Sequence, residues 1–443
     1  MLEAPSRPVE VTHRRVLAIA LPMTVAHLTT PLLGIVDTAV VGRLGSAALI
    51  GGVALGAVVF DFLFWGFGFL RMGTVGLAAQ ALGRGDRLSE RAVLMRALLL
   101  GVLCGLGLIL LQVPIRMGAL GLAGASPEVD AALGAYFDVR IWAAPFSFIN
   151  YVVAGWLTGI ARTGHALALQ VGIGLLNMAL TSVLVLGLGW GVAGSAAGTL
   201  MAEAVGAVAG LFACARLLGY RIAVPRAVLL DKAALKECLV LNRDIMIRTA
   251  ALMLAFSFFA AQGARAGDVT LAANALLNNM VLLAAYFLDG FATAAEQVCG
   301  QAVGARNRRA FEKGLRLVLL WGGCCAVAAS LVYLAFGPLI IDLMTTNPEV
   351  RQAARAFLIF AVLLPVVGIF AYVFDGIYIG ALWSRDMRNL MLLALILYFA
   401  AWALLRPLGN EGLWLAFLAF LVARGVLQGV RLPALMARAF PPA

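Results

Sequence analysis

The sequence predicts an all-α integral membrane protein of twelve transmembrane helices, arranged as two six-helix lobes. Its 443 residues are 63% hydrophobic and only 12% charged, whereas soluble proteins carry about 25% charged residues. The apolar residues fall in blocks of about 20 to 30, the length that crosses a bilayer as a helix. The second half of the chain also repeats features of the first half, and this repeat predicts two lobes of one plan.

Short breaks rich in glycine and arginine separate the apolar blocks. The first block is too long for the apolar core of a cleavable signal peptide, so we expect it to remain as a helix. We predict an N-lobe at 1–217, a cytoplasmic linker at 218–244 and a C-lobe at 245–443. The predicted spans are 16–42, 49–80, 93–113, 134–160, 166–187, 191–215, 245–264, 269–299, 314–337, 354–381, 389–405 and 411–430.

The internal repeat is marked by QALGRGDR at 80–87 and QAVGARNR at 301–308. At the same offset, YVVAGWLTG at 151–159 corresponds to YVFDGIYIG at 372–380. Each half has an even number of predicted spans, so both halves insert with the same orientation. Parallel repeats of this kind are related by an axis along the membrane normal, and transporters bind substrates near the interface of such repeats.

The distribution of charge predicts the orientation. The net charge is +11, and most arginines and lysines lie in loops on one side, including 84–91, 216–243 and 306–313. The positive-inside rule then places both termini in the cytoplasm of a bacterial inner-membrane protein. Scattered loop charges do not indicate a nucleic-acid partner; we expect the partners to be a small amphipathic substrate and the bilayer, with the monomer as the functional state. The opposite side carries fewer basic residues, namely Arg43, Arg116, Arg265, Arg351, Arg355 and Arg406.

Motifs typical of enzymes and metal centres are missing from the sequence. There is no G-x-x-x-x-G-K-[ST], no H-E-x-x-H and no G-x-S-x-G. The six cysteines lie mostly in apolar runs without C-x-x-C spacing, and the three histidines do not cluster with acids. We therefore expect no catalytic residues, no metal site and no cofactor apart from a coupling ion.

One carboxylate, Asp37, lies within the first span, which also contains Pro22 and Pro31. A charged group inside the bilayer costs a few kcal/mol, so such an acid is a functional candidate by default. Proline removes a backbone donor and kinks a helix. We predict that Asp37 is the proton-coupling residue on a helix that bends at the two prolines. The alternative is that Asp37 caps the helix end or pairs with Arg43.

Polar side chains in spans 4 to 6 predict a pocket in the N-lobe. Asn177 and Thr181 are four residues apart and share a helix face, and Asn150 and Thr199 lie in the neighbouring spans. Together with Asp37 they would form one polar pocket in an apolar bundle. Burial disfavours the charged form of a carboxylate, so proton binding near physiological pH becomes possible there. The alternative is that each amide or hydroxyl merely bonds neighbouring backbone.

A second polar set is predicted in the C-lobe. An acidic, partly apolar cavity there would suit a lipophilic cation, with aromatic rings offering their faces. For Asp61, Arg140 and Glu203 we favour mutual salt bridges or anchoring at helix ends over a functional role. The candidates for a cation or substrate site in the C-lobe are Arg248, Asn274, Asn278, Asp289, Glu296 and Asp375.

Five segments of the chain carry a family resemblance. They are LPMTVAHLTTPLLGIVDTAVVGRLG at 21–45, FLRMGTVGLAAQALGRGD at 69–86, NRDIMIRTAALMLAFSFFAAQGARAGDVTLAANALLNN at 242–279, LDGFATAAEQVCGQAVGAR at 288–306 and FDGIYIGA at 374–381. In this order and at these spans, they resemble the multidrug and toxic compound extrusion (MATE) family, and within it the DinF-like branch. The resemblance implies two six-helix lobes in a V shape, cation-coupled antiport and export of amphipathic compounds.

The resemblance also implies roles for individual residues. Asp37 matches the acid of the first helix that the family uses for proton coupling, and Asn177 matches the asparagine of span 5. The family often has an aspartate four residues later, where this chain has Thr181. This departure leaves Asp37 as the main titratable group of the first lobe and weakens a sodium site built from two carboxylates. Asp289 and Asp375 match acids that are usual in the branch.

The functional hypothesis is therefore an antiporter that exports lipophilic, often cationic compounds in exchange for protons, with Na⁺ as an alternative coupling ion. A flippase for a lipid-linked or polymeric substrate is the rival hypothesis. Such a protein would be expected to carry more cationic residues in its central cleft for phosphate, whereas the central spans here carry more acids than bases. An intramembrane enzyme is a third hypothesis, and the missing motifs argue against it.

Overall fold

A computed structural model describes residues 10–43 and 45–441, with the side chains of residues 30–38 and 122–123 left undescribed. This part of the chain is almost entirely helical. Its α-helices are α1 His13–Gly42, α2 Ala47–Gly66, α3 Phe69–Arg84, α4 Arg87–Leu110, α5 Gln112–Ala123, α6 Pro127–Arg140, α7 Ala144–Gly159, α8 Thr163–Ser182, α9 Gly191–Leu217, α10 Arg226–Leu229, α11 Lys232–Arg265, α12 Asp268–Gly304, α13 Arg308–Met344, α14 Pro348–Gly380, α15 Ser384–Leu405 and α16 Asn410–Ala439.

Eleven helical segments of the described chain are long and apolar enough to cross a membrane. Three of them combine neighbouring α-helices: Ala47–Arg84 contains α2 and α3, Pro127–Gly159 contains α6 and α7, and Arg226–Arg265 contains α10 and α11. Each of the eleven overlaps one predicted span, and α1 supplies the twelfth. The predicted fold class, an all-α membrane protein with twelve spans, is therefore confirmed.

The chain divides into two compact units. The N-terminal unit contains residues 28–78 and 86–242, and the C-terminal unit contains residues 10–27, 79–85 and 243–441. Both α1 and α3 thus contribute residues to each unit. The predicted lobe boundaries at 217 and 245 stay predictions.

The internal repeat is visible in the backbone at the start of α4 and of α13. Asp86 caps α4 by accepting hydrogen bonds from two backbone N–H groups, each at 3.0 Å. At the corresponding position Asn307 caps α13 by accepting one at 2.9 Å. The residues immediately before them, Gly85 and Arg306, both have positive φ angles, of 70° and 51°. A side-chain oxygen at the N-cap satisfies backbone donors that the first helical turn leaves free.

Matching glycines make the same close contact in each unit. A Cβ added to Gly155 would lie 2.5 Å from the carbonyl oxygen of Arg71, within the N-terminal unit. A Cβ added to Gly376 would lie 2.2 Å from the carbonyl oxygen of Ala292, within the C-terminal unit. Small residues allow membrane helices to approach this closely. The two glycines and the two carbonyls correspond at the repeat offset, so both units use one packing device.

The repeated Q-A-x-G motifs contact each other within the C-terminal unit. A Cβ at Gly83 would lie 2.1 Å from the carbonyl oxygen of Gln301, and a Cβ at Gly304 would lie 2.1 Å from that of Gln80. The contact is reciprocal, because each motif presents its glycine to the glutamine backbone of the other. The ends of α3 and α12 therefore pack backbone to backbone here.

Helix packing places the polar side chains of the N-terminal unit around α9. In that unit α9 packs against α6, α7 and α8. In the C-terminal unit α14 packs against α12, α13 and α16. Buried positions on α9 include small residues such as Gly194, Gly198, Gly206 and Gly210. They bring the neighbouring helices close enough for their polar groups to meet.

Candidate ion-coupling and substrate site

Helices α8 and α9 bring together three residues of the predicted N-lobe pocket. Asn177 of α8 donates from Nδ2 to Oγ1 of Thr199 at 2.8 Å. Thr199 donates in turn to the carbonyl oxygen of Ser195, one turn earlier on α9, at 3.2 Å. Thr181, one turn after Asn177, is completely buried. The alternative was that each polar side chain of this pocket only bonds neighbouring backbone. The hydrogen bond between Asn177 and Thr199 joins two side chains on different helices, so that alternative does not hold for Asn177.

A glycine sets the distance between α8 and α9 at this point. A Cβ at Gly198 would lie 2.7 Å from Oγ1 of Thr181 and 2.8 Å from its backbone nitrogen, so a larger residue would push the helices apart. Helix α8 then continues as a π-helical turn, Val183–Gly187. Such turns are frequent at functional sites. Asn177, Thr181 and Thr199 therefore form one compact polar group.

The fourth predicted residue, Asn150 of α7, contacts α9 at Glu203. Its Nδ2 donates to the carboxylate oxygen Oε2 of Glu203 at 2.6 Å and to the carbonyl oxygen of Glu203 at 3.0 Å. Glu203 follows Thr199 by four residues and shares its helix face. Glu203 forms no salt bridge in the described part of the chain, since no arginine or lysine there lies within 4.0 Å of its carboxylate; the alternative, anchoring at a helix end, stays a prediction. Its partner is a neutral amide.

Several buried oxygens along α7, α8 and α9 have no hydrogen-bond partner in the described part of the chain. Buried polar atoms without a partner are rare and call for an explanation, such as water or an ion. We call the polar side chains of these helices the polar seam: Ser147, Asn150, Asn177, Thr181, Ser195, Thr199 and Glu203. The oxygens without a partner are Oγ of Ser147, Oδ1 of Asn150, Oδ1 of Asn177, Oγ1 of Thr181 and Oγ of Ser195.

The predicted coupling residue cannot be located relative to the seam. Asp37 and Pro31 fall within residues 30–38 and lie outside the residues whose side chains are described. Pro22 is half-buried in α1, which is assigned as one helix from His13–Gly42. The roles of Asp37 in proton coupling and of Pro22 and Pro31 in bending stay predictions.

A second charged group of the N-terminal unit contains Arg140. Its guanidinium carbon lies 5.5 Å from the ring centre of Phe60 and 5.0 Å from that of Phe64, which is a cation–π arrangement. Asp61 interacts electrostatically with Arg140. This agrees with a structural role for both residues. Tyr151 of α7 is close enough to both of them, and to Glu203, to interact electrostatically with all three.

In the C-terminal unit, two arginines neutralise Asp375. The carboxylate of Asp375 on α14 forms ion pairs with Arg248 of α11 and Arg424 of α16. Gln428, one turn after Arg424, donates to the other carboxylate oxygen at 2.6 Å. All four side chains are buried. Asp375 therefore links three helices and does not offer an unpaired negative charge to a cation. Asp289 of α12 is also close enough to Arg248 for electrostatic interaction.

The structure divides the C-lobe candidates between separate places. Asn274 exchanges hydrogen bonds with Asn410 at 2.8 and 3.0 Å and accepts one from Nε1 of Trp414 at 2.9 Å. Asn410 begins α16, whereas Arg424 lies about 20 Å further along that helix at 1.5 Å per residue. The structure therefore does not bring Asn274 and Asp375 into contact, and a joint site in the C-lobe stays a prediction. On α12, Asn278 is half-buried one turn after Asn274, and Glu296 is buried two turns after Asp289.

Three features of the site were missed in the sequence. Arg424 and Gln428 complete the surroundings of Asp375, but they lie on a helix distant in sequence, and no local pattern links them to it. Glu203 belongs to the polar seam rather than to a salt bridge. Its position had a usable signal, because Ser195, Thr199 and Glu203 recur every four residues on α9.

Known proteins share this architecture. The profile of the family described as MatE matches residues 22–183 and 245–402. The DNA damage-inducible protein F of Escherichia coli (strain K12) is 39% identical over 92% of this chain and 89% of its own length. A probable multidrug resistance protein NorM of Rhizobium meliloti is 28% identical over 96% of this chain and 94% of its own.

A solved structure shows the same fold at low sequence identity. The crystal structure of MATE in the bent conformation superimposes with a TM-score of 0.87 at 20% identity, covering 96% of each chain. The profile match covers more than half of the chain, and the members of this family are transporters. The chain therefore belongs to the MatE family and is a multi-pass membrane transporter rather than an enzyme.

Proposed function

We propose that this chain is a secondary active antiporter that exports lipophilic, often cationic compounds in exchange for protons, with Na⁺ as the alternative coupling ion. The class of substrate is supported by the relative described as a probable multidrug resistance protein. The observation that carries the coupling proposal is the polar seam, in which buried oxygens of α7, α8 and α9 have no partner among the described residues. Such oxygens favour the entry of a proton or another small cation.

The cycle begins with Asp37 deprotonated and the binding region open to the outside. A proton then neutralises Asp37, α1 bends at Pro22 and Pro31, and the pocket shrinks and releases its substrate. The protein afterwards changes the side of the membrane that it faces. The physical reason for the coupling is that an acid in the bilayer interior is stable only when it is neutralised.

The neutral members of the seam would stabilise the protonated state. The amide oxygens of Asn150 and Asn177 are acceptors only, so each can be satisfied by the O–H of a protonated carboxyl or by water. When a carboxyl group that donates to one of these amide oxygens loses its proton, the oxygen loses its hydrogen-bond donor. The hydrogen-bonded packing of the seam then becomes less favourable. Protonation would thereby change the local packing of α7, α8 and α9.

A flippase for lipid-linked or polymeric substrates is the second candidate function. It would need buried cations for the phosphate of its substrate. Arg248 and Arg424 are buried, but both are engaged by Asp375. The buried Arg140 lies against the rings of Phe60 and Phe64. These contacts disfavour a flippase. Binding assays with ethidium and with a lipid-linked phosphate separate the candidates, since the antiporter should bind the first and not the second.

We further propose that the protein works as a monomer in the bacterial inner membrane, with both termini in the cytoplasm. The excess of basic residues in the loops of one side supports this orientation. Epitope tags at the two ends should be inaccessible in intact cells and accessible after permeabilisation. Accessibility of either tag in intact cells would contradict the orientation.

The coupling ion is tested in proteoliposomes that contain the purified protein. Ethidium efflux should be driven by a proton gradient imposed without sodium. A sodium gradient without a proton gradient should drive much less efflux. Efflux by sodium alone would identify Na⁺ as the coupling ion, and equal efflux without any gradient would contradict antiport.

A further inference from the structure

Glu203 has a neutral partner, in contrast to three buried carboxylates of the described helices. Asp375, Asp244 and Glu90 are buried, and each is paired with one or two arginines. Glu203 of α9 has the amide of Asn150 at 2.6 Å, and no described arginine or lysine lies within 4.0 Å. An ionised carboxylate is costly in the bilayer interior unless something neutralises it. The described protein does not supply that counter-charge.

The orientation of Asn150 gives a second, independent observation. Its Nδ2 is engaged by the carboxylate and the backbone carbonyl of Glu203. Oδ1 of the same amide is buried and has no partner among the described residues, although Asn150 is only 7% exposed. An amide oxygen and a carboxylate are both acceptors, so neither can satisfy the other. A proton on Glu203 or a small cation beside it would satisfy the group.

The charged groups near Glu203 form no ion pair with it in the described part of the chain. On α6, Arg140 lies against the rings of Phe60 and Phe64 and interacts electrostatically with Asp61. On α7, the neutral Tyr151 interacts electrostatically with Glu203, Arg140, Asp61 and Arg71. On α8, the seam contributes the neutral Asn177 and Thr181. Glu203 is the acid of the seam, and its hydrogen-bond partner among the described residues is the neutral Asn150.

We propose that Glu203 is a second cation-binding carboxylate, so that the N-terminal unit takes up two monovalent cations in each transport cycle, one at Asp37 and one at Glu203. The proposal rests on the proposed antiport function and extends it to the number of coupling ions. Glu203 and Thr199 are one turn apart on α9, so the second cation lies beside the group formed by Asn177, Thr181 and Thr199. Asn150 acts as the positioning residue, since it orients the carboxylate.

Infrared difference spectra test the proposal on the purified full-length protein. The probe is tetraphenylphosphonium, a lipophilic cation without carbonyl or exchangeable groups. Its binding should remove two protonated-carboxyl bands in the wild-type protein, because substrate and coupling cations compete through linked binding. Glu203→Gln keeps an acceptor for Asn150 but cannot ionise, and should lose one of these bands. Asp37→Asn should lose the other.

The control is Asp138→Asn, which removes a carboxylate of the same unit that is 56% exposed and paired with Arg116. This variant should keep both bands. A Glu203→Gln spectrum identical to that of the wild type, together with unchanged sodium binding, would overturn the proposal. If Glu203→Gln does not fold, the wild-type protein decides: two bands, or one band and one bound sodium ion, support a second site, and one band without bound sodium contradicts it.

Sodium is distinguished from protons by counting bound ²²Na⁺ at alkaline pH. If the cation is Na⁺, Glu203→Gln should bind one ion fewer than the wild type. No difference in either the infrared or the sodium measurement would overturn the proposal. The proposed function fails separately, if Asp37→Asn still couples efflux to a gradient. In that case the infrared band assigned to Glu203 would remain. Failure of the proposed function is therefore distinguishable from failure of the proposed second cation site.

Discussion

Two acids, the buried Asp375 and the half-buried Glu203, differ in how their charge is balanced. In the C-terminal unit, Asp375 of α14 is held by an arginine of α11 and by an arginine and a glutamine of α16. In the N-terminal unit Glu203 is held by one neutral amide, beside buried oxygens without a described partner. Both groups contain buried polar atoms without a described partner, including Nε of Arg248 and Nε of Arg424, so the difference lies in the charge beside the carboxylate. Opposite charges tie Asp375 to its neighbouring helices, whereas Glu203 belongs to the region that we propose for ion coupling.

The largest effect is expected from Asp375→Asn. The substitution leaves two buried arginines without a counter-charge, and breaking a buried pair in this way costs about 3–5 kcal/mol. Thermal unfolding of the purified protein in detergent should show a strongly lowered midpoint. The matched control Asp138→Asn breaks an exposed pair, worth about 0–1 kcal/mol. Equal stability of the two variants would show that Asp375 is not structural.

The next largest loss of stability is expected from substitutions of the repeated glycines, Gly155 and Gly376. Gly376→Ala and Gly155→Ala place a methyl group against a backbone carbonyl, and overpacking of this kind costs about 1–3 kcal/mol. Gly376→Ala should be the more damaging, since its Cβ would lie 2.2 Å from the carbonyl oxygen and that of Gly155 2.5 Å.

The control for the glycines is Gly107→Ala. A Cβ at Gly107 meets nothing within 4 Å, so alanine should be neutral or stabilise helix α4 by about 0.5–1 kcal/mol. Thermal midpoints of the three variants provide the measurement. If Gly155→Ala and Gly376→Ala match Gly107→Ala, the two units do not depend on the shared packing device.

Asn177→Ala should have the smallest effect on stability and a large effect on function. It removes one hydrogen bond, to Thr199, worth about 1 kcal/mol. Proton-driven ethidium efflux should nevertheless fall sharply, because the seam loses a buried amide. The exposed Asn389→Ala serves as control and should transport normally. If Asn177→Ala exports ethidium at the rate of the control, Asn177 is not needed for transport and the prediction is wrong.

Much of the fold followed from local sequence patterns. The lengths of the apolar blocks predicted the spans, and the repeat predicted two lobes of one plan, in which Gly155 and Gly376 make matching contacts. Residues four apart on one helix, Asn177 and Thr181, were also expected to share a face. Patterns within one helix are readable because helical geometry fixes which residues are neighbours.

The partners of the buried acids could not be predicted in the same way. Arg424 lies on a different helix from Asp375, and the choice of partner depends on how the helices rotate and pack. For the same reason, Asn274 was expected near Asp375 but bonds to Asn410 and Trp414. For Glu203 we expected a salt bridge or anchoring at a helix end, because its sequence neighbours say nothing about Asn150 on α7.

The central claim is that neutralising an acid of the first helix drives transport. Its most direct test is ethidium efflux by Asp37→Asn in proteoliposomes under an imposed proton gradient, alongside wild-type protein of equal thermal stability. The account predicts that the variant binds ethidium but shows no efflux coupled to the gradient. Efflux at the wild-type rate, with the same dependence on the gradient, would contradict it.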